Sequence, residues 1–241
     1  MSFTGPRHHH RLVDSTNDRA RELALAGAAS GTVVTADEQS AGRGRQGRVW
    51  SAPPGAALLC SAILRPLEAR HALLPLAVPL AVCEAAEALA PVECEVKWPN
   101  DVWFRERKLA GVLIEARPPD WAVIGVGINL AIADDEFPAD LRWPATSLGH
   151  TVGADQALAA LREALGVWTA AEPEQVTEAF VARDALRGRE VSWEGAGDAG
   201  GSGLGRATGI DPRGNLVVET ASGERVTLGA GEVSLRLDPS A

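Results

Sequence analysis

Lysine is almost missing from this chain. Of its 23 cationic side chains only Lys97 and Lys108, eleven positions apart, are lysines; the others are arginines. Such a bias towards arginine, alanine and glycine fits a GC-rich genome, where surface cations drift to arginine. Two retained lysines then mark either chance or sites where a compact ammonium suits and a planar guanidinium does not. Cysteine is scarce as well. Cys60, Cys83 and Cys94 are an odd number without CxxC spacing, each in an apolar or strand-like run. That pattern argues against a disulfide or zinc framework and for reduced core thiols in a cytoplasmic protein. No long apolar run goes unbroken: Ala72 to Ala90 is interrupted by Pro75, Pro79, Glu84 and Glu87, so a membrane span is not expected. The start of the chain turns polar at Arg7 and lacks the apolar core of a signal peptide. Positive charge is lacking too. A net charge of −9 disfavours a surface devoted to nucleic acid, while leaving room for a local basic site.

What is present is ordinary globular material: 241 residues, 46% hydrophobic and 23% charged, enough for one or two domains with a core needing no staples. Ser15 as N-cap and Gly27 as C′ residue bracket a short helix. Strands are expected over Thr32 to Ala36, Ala56 to Leu64, Glu93 to Trp98, Val102 to Phe104, Lys108 to Ala116 and Ala122 to Ile128. Arg105-Glu106 is read as a hairpin tip. Leu73 to Leu89 is expected to be helical beyond Pro79, because proline is tolerated in a first turn but not in an interior. Helices follow at about 155–170 and 174–186. Past Arg189 the pattern changes to short strands at 190–193, 205–210, 216–220, 225–228 and 233–237, punctuated by turns such as Asp211-Pro212-Arg213-Gly214-Asn215. Gly195 to Gly205 reads as a flexible loop within that tail. Segregated helices and strands indicate α+β, with domains at 1–187 and 188–241 and the second a small antiparallel barrel.

The most unusual segment is Gly42-Arg43-Gly44-Arg45-Gln46-Gly47-Arg48-Val49-Trp50. Alternating glycines let successive N–H groups be presented, and the interleaved guanidinium forks suit an anion with several oxygens, phosphate above all. No Gly-Lys-Ser/Thr follows, so this is no P-loop, and no strand–Gly–helix transition makes it a dinucleotide fingerprint. The alternative is a solvated Arg-Gly linker that binds RNA through charge. Lys97-Trp98-Pro99-Asn100-Asp101 is a stiff turn between strands, and Lys108-Leu109-Ala110-Gly111 begins a strand across the hairpin. Such a hairpin brings the two lysines onto one sheet face, which is unfavourable unless an anion lies between them. Otherwise Lys97 pairs with Glu93 or Glu95 and Lys108 faces solvent. Gly125-Val126-Gly127-Ile128-Asn129 ends an apolar strand, where Asn129 bonds a ligand edge or caps the turn. His8-His9-His10 is read as solvent-exposed and not as a metal site.

Taken together, Ser15-Thr16-Asn17, Gln39, the GRGRxGRxW loop, Lys97-Trp98-Pro99-Asn100-Asp101, Lys108-Leu109-Ala110-Gly111 and Gly125-Val126-Gly127-Ile128-Asn129 resemble the biotin–protein ligase family over essentially the whole chain. The resemblance implies an α+β catalytic domain around a mixed sheet, then an SH3-like barrel. It implies formation of biotinyl-AMP from biotin and ATP with Mg²⁺, then transfer of biotin to a lysine of a biotin carboxyl carrier domain of acyl-CoA carboxylases. Carried over by residue, biotin is expected at Ser15, Thr16, Asn17, Gln39, Arg43, Gly44, Arg45, Lys108 and Gly111, with Arg43 and Lys108 near its carboxylate. ATP is expected at Arg43, Arg48, Trp50, Lys97, Asn100 and Asn129, with Trp50 and Asn129 near the adenosine. Lys108, Arg45, Lys97 and Asp101 are the expected catalytic residues, Asp101 either orienting the acceptor amine or capping the turn; the metal ligands are unassigned. Only 14 residues precede Ser15, fewer than a helix-turn-helix needs, so direct DNA binding is not expected. Whether two copies pair is left open. A lipoate or octanoate ligase of the same fold, or a non-catalytic biotin- or RNA-binding module, are the alternatives.

Overall fold

The computed structural model describes residues 3–139, 141–149, 152–194, 201–230 and 234–237. Seven strands make the larger sheet: β1 Arg7–Val13, β2 Val33–Gln39, β3 Ala57–Leu64, β4 Glu95–Lys97, β5 Asp101–Phe104, β6 Arg107–Arg117 and β7 Trp121–Asn129. Their order is β1-β2-β3-β7-β6-β5-β4. Only β1 and β2 run parallel among these neighbours, so the sheet is mixed as expected. Arg105 and Glu106, with φ of 51° and 60°, form the expected tip between β5 and β6, the left-handed pair a two-residue hairpin demands.

The period-2 alternation of the central strands divides the sheet's two faces. Leu58, Cys60, Ala62, Ile124, Val126 and Ile128 belong to the main core, which the sheet builds with α2 (Leu74–Glu87), α3 (Ala154–Trp168) and α4 (Pro173–Ala182). Their odd-numbered neighbours face the other way. There, α1 (Thr16–Leu25) covers Ile63 and Val123 with Ala20 and Ala24. The remaining odd positions, Leu59, Gly125, Gly127, Gly111 and Leu113, border a cleft.

Several details depart from the sequence reading. Strand β1 was not anticipated, because Arg7 to Leu12 has no apolar alternation and its side chains are mostly exposed; backbone pairing to β2 alone makes it a strand. Pro79 lies inside α2 and not in its first turn, since the helix starts at Leu74 after a 3-10 turn over Ala69–Leu73. Burial of nearly every residue from Leu74 to Ala86 outweighs the hydrogen bond that Pro79 forgoes. The segment Ala69–Glu87 is long and apolar enough to cross a membrane, but 72% of its most apolar window is buried within the protein.

The tail forms β8 Glu190–Glu194, β9 Gly203–Ile210, β10 Leu216–Thr220, β11 Arg225–Leu228 and β12 Ser234–Leu237, in the order β11-β10-β9-β8-β12. This small antiparallel unit fits an SH3-like module, yet the expected barrel is not closed. Closure needs tilted edge strands to meet, and β11 and β12, four residues each, remain unpaired to each other among the described residues. Gly203 to Gly205 belong to β9 and not to a loop; residues 195–200 and Val233 lie outside the described residues.

The turn between β9 and β10 docks the tail onto the larger sheet. Asp211 accepts backbone N–H bonds from Arg213 and Asn215 at 2.8 and 2.9 Å. The Trp98 indole N–H then donates to the Gly214 carbonyl at 3.0 Å. Gly214 has φ of +80°, and a Cβ there would stand 3.1 and 3.2 Å from methyl groups of Leu76 and Leu73. Gly214→Ala is therefore expected to lower stability by about 1–2 kcal/mol. Urea denaturation checks this; an unchanged midpoint would show that the left-handed conformation and close contact are not required.

Candidate active site

At one end of the cleft α1 begins. Ser15, Thr16 and Asn17 are buried and border it together with Gln39 from the end of β2. Ser15 occupies the N-cap position without a capping side-chain bond, which leaves its hydroxyl for other use. Gln39 Oε1 accepts from both the backbone N–H and the hydroxyl of Thr16, at 2.7 and 3.0 Å. Ser61, on β3, lies 2.8 Å from Thr16 Oγ1 and 2.6 Å from Asn17 Oδ1. The Asn17 amide N–H donates to Glu115 Oε2 at 3.0 Å. Both ends of the Asn17 amide are thus taken by protein, so it braces the cluster more than it faces a ligand. A Cβ at residue 125 would fall 2.1 Å from Asn17 Oδ1, which explains the glycine there.

At the other end the cations gather. Lys108 Nζ pairs with Asp101 Oδ1 at 2.7 Å, and Asp101 is almost fully buried. Lys97, directly across from Asp101 in the β4–β5 register, is 5% exposed. The anion expected between the lysines is therefore the protein's own carboxylate, and neither Glu93 nor Glu95 serves Lys97. Its ammonium stands 4.9 Å from the Trp143 ring and 5.7 Å from Trp103. Burial pushes its pKa down from 10.5 to about 8, Asp101 opposing and Lys108, Arg142 and Arg48 adding to the fall. Lys97 is set just behind the cleft wall; Lys108 is in the wall itself.

The arginine–glycine loop covers the cleft as a small hairpin. Arg43 and Val49 form a bridge, the Gly44 N–H donates to the Arg48 carbonyl at 2.7 Å, and Gln46 and Gly47 take positive φ at the tip. Arg43 is held by Asp18 at 2.9 Å and Glu115 at 3.2 Å. Arg45 donates to Asn100 Oδ1 at 3.3 Å, and burial pushes its guanidinium below the usual value. Arg48 donates to Gln46 and borders the cleft. Trp50 lies on the glycine floor: a Cβ at Gly127 would come within 2.5 Å of its ring and one at Gly111 within 2.9 Å. Its indole N–H is buried with no partner among the described residues. Asn129 borders the cleft while its amide N–H is given to Thr146 O at 2.9 Å and Lys108 O at 3.4 Å.

The structure brings every expected site residue into or against this one cleft. Sequence reasoning missed Ser61, Asp18, Glu115 and the stretch that roofs the far side, including Phe137, Leu141, Arg142 and Trp143. The roof is sutured to β6: Lys108 N–H donates to Pro144 O at 2.7 Å and Thr146 N–H to Lys108 O at 2.9 Å. Trp143 and Phe137 were the available signal, two aromatics in an otherwise polar, irregular stretch. Ser61 gave none, being one small residue inside an apolar strand.

The fold and cleft define an α+β protein whose cleft has neutral hydrogen-bonding groups at one end and surplus positive charge at the other. Comparison with known proteins gives the family. The model of the biotin/lipoate A/B protein ligase family matches residues 10–129, and that of the biotin protein ligase C terminal domain matches 188–236. The biotin--[acetyl-CoA-carboxylase] ligase of Mycobacterium tuberculosis is 36% identical over 235 residues, 91% of this chain and 85% of that one. The bifunctional ligase/repressor BirA of Bacillus spizizenii is 34% identical over 231 residues, 88% of this chain and 69% of its own. The Aquifex aeolicus biotin protein ligase in complex with biotin and ATP superposes with a TM-score of 0.83 at 29% identity, covering 97% and 99% of the two chains. The chain belongs to the biotin/lipoate A/B protein ligase family.

Lys97 offers a test of the charge cluster. Its folded pKa of about 8 lies below the unfolded 10.5, so between those values the unfolded chain binds the extra proton. Stability attributable to Lys97 therefore rises with pH through that window, and at pH 7 the buried ammonium is a cost. Lys97→Met is expected to raise the unfolding free energy at pH 7 by a few kcal/mol, a gain that shrinks towards pH 10.5. Urea denaturation of both proteins at pH 7 and pH 10 decides it; a gain independent of pH would refute the depressed pKa.

Proposed function

We propose that this chain is an ATP-dependent biotin–protein ligase, which forms biotinyl-AMP from biotin and ATP and passes biotin to a lysine of a biotin carboxyl carrier domain. The observation that carries this is the polarity of the cleft. Neutral groups at Ser15, Thr16 and Gln39 suit a ureido ring, whereas Arg45, Arg48 and Lys108, with Lys97 behind them, suit a carboxylate meeting a phosphate. Membership of the family and likeness to biotin ligases support the same reading. We place the boundary between catalytic and C-terminal domains at 187/188, and the chain in the cytoplasm, where the three buried free thiols stay reduced.

The first step brings two anions together, and their repulsion is a large part of its barrier. Biotin's carboxylate attacks the α-phosphate and pyrophosphate departs, so no protein nucleophile is needed. Lys108 neutralises the carboxylate and the developing charge on phosphorus oxygens, and Arg43 holds the carboxylate of bound biotin; Arg48 and Asn100 meet the departing phosphates, with Lys97 adding positive charge from behind the wall. Asp101, paired with Lys108 Nζ at 2.7 Å, keeps Lys108 aimed. Trp50, already on the glycine floor, and Asn129 border the nucleotide. The arginine–glycine loop then shields the anhydride from water. The second step is attack by a neutral acceptor amine on the anhydride carbonyl, releasing AMP.

Magnesium is best read as part of the co-substrate. Asp101 is the one carboxylate among the described lining residues and is paired with Lys108. No group of three His, Cys, Asp or Glu suited to a metal occurs among the described residues. A resident metal cage does not fit this cleft. Magnesium would arrive on ATP, held by phosphates and water, and offset phosphate charge.

Incubation with a carrier domain, ATP and either biotin or lipoate, read by mass spectrometry, tests the reading. ATP-dependent gain of one biotinyl group is expected; gain of lipoyl alone, or of nothing, would refute it. Lys108→Ala is expected to slow biotin-dependent ATP–pyrophosphate exchange by about 100-fold or more, the order of one lost preorganised charge; near-normal exchange would contradict its role. Arg45→Gly should keep adenylation but release free biotinyl-AMP, and unchanged retention in that variant would count against a shielding loop.

A further inference from the structure

Four ionised side chains beside the cleft close into a ring. Asp18 and Arg21, one helical turn apart on α1, pair at 2.8 Å. Asp18 also holds Arg43 of the loop at 2.9 Å. Arg43 reaches Glu115 on β6 at 3.2 Å, and Glu115 returns to Arg21 at 3.6 Å. Charges alternate around the ring, so every neighbour is of opposite sign. The side chains are 23% to 41% exposed, which lets salt reach them and makes each pair alone worth little. Their joint effect is geometric: the first arginine of the loop is fixed from two directions at once.

Glu115 has a second contact, accepting the Asn17 amide N–H at 3.0 Å. Asn17 in turn meets Ser61, and Ser61 meets Thr16. A continuous chain of polar contacts thus runs from the root of the loop to the neutral end of the cleft.

We propose that Asp18 and Glu115 are positioning residues for Arg43, fixing the root of the arginine–glycine loop over the biotin end of the cleft. This rests on reading that end as the biotin site. Because neither carboxylate touches the reacting atoms, biotin binding depends on them and the chemical step does not. The ring acts before ligand arrives, since it is complete in the protein alone.

Asp18→Asn and Glu115→Gln, singly and together, keep side-chain size, and an amide at 115 still accepts from Asn17. In ATP–pyrophosphate exchange the double variant is expected to raise KM for biotin roughly tenfold, the order of two networked ion pairs. Its kcat and KM for ATP should stay within about twofold, and KM for biotin should rise with added NaCl less steeply in the double variant than in the parent. Limited trypsin cleavage after Arg45 or Arg48, without ligand, should be several-fold faster in the double variant. A biotin KM like the parent's, an undiminished salt response, a loss confined to kcat, or unchanged cleavage would each overturn the proposal. Absence of exchange in the parent would defeat the ligase reading itself, and the cleavage rates alone would then decide the ring.

Discussion

The cleft depends on an imbalance of charge around a single buried carboxylate. Asp101 serves Lys108 directly and offsets Lys97 and Arg45 at longer range, while Arg48 adds to the repulsion felt by both. One negative charge cannot neutralise that many cations in a partly desolvated site. The protein tolerates the remainder by stacking Lys97 beneath two indoles and leaving Lys108 and Arg48 in reach of the cleft. A ligand with several anionic oxygens completes what the protein leaves unfinished. Binding and catalysis then draw on the same excess: charge that is strained without substrate is in place for the moment when carboxylate and phosphate approach.

The sheet makes this arrangement possible through alternation. In Gly125-Val126-Gly127-Ile128-Asn129 the apolar members enter the core and the small or amide members face the cleft. Those glycines look unremarkable as a strand end, yet each is matched to a particular neighbour. Gly125 admits the Asn17 amide, and Gly127 with Gly111 admits the Trp50 ring. The tail adds a brace at the opposite side of the same machinery: Trp98, between Lys97 and Asn100, gives its N–H to the β9–β10 turn. The lysine-bearing turn is therefore held by both parts of the chain.

How much was legible follows from how the information is stored. Strands β3, β5, β6 and β7 carry it locally, in apolar runs with turn residues at their ends, and their limits fell within a residue or two. Strand β1 stores nothing locally; its edge position is decided by pairing with β2, so His8 to His10 read only as solvent-exposed and no strand was expected there. Pro79 misled because a local rule about proline yields to burial of a whole helix. At the site, residues within contiguous motifs were readable, including Lys97, Asn100, Asp101 and Lys108. Ser61, Asp18 and Glu115 were not, because each matters only through partners from distant parts of the chain, such as Asn17 and Arg43. Closure of the small sheet was likewise a question of tertiary geometry that strand spacing does not answer.

Scarcity of lysine acquires a chemical sense in this setting. An enzyme that makes an acyl-adenylate must present it to a foreign amine while its own amines stay silent. Lys108 is nearest, and its Nζ is tied to Asp101 at 2.7 Å, which holds it against its counter-ion and away from a free approach to the acyl carbon. Lys97 has the weakened proton of a pKa of about 8, but it is walled off behind Trp103 and Trp143. Arginine elsewhere is never a competent nucleophile, since its guanidinium stays protonated throughout the working range. The two ammonium groups can thus lie beside an activated carboxyl group as point charges, one restrained by its counter-ion and the other by burial, and leave transfer to an amine that enters from outside.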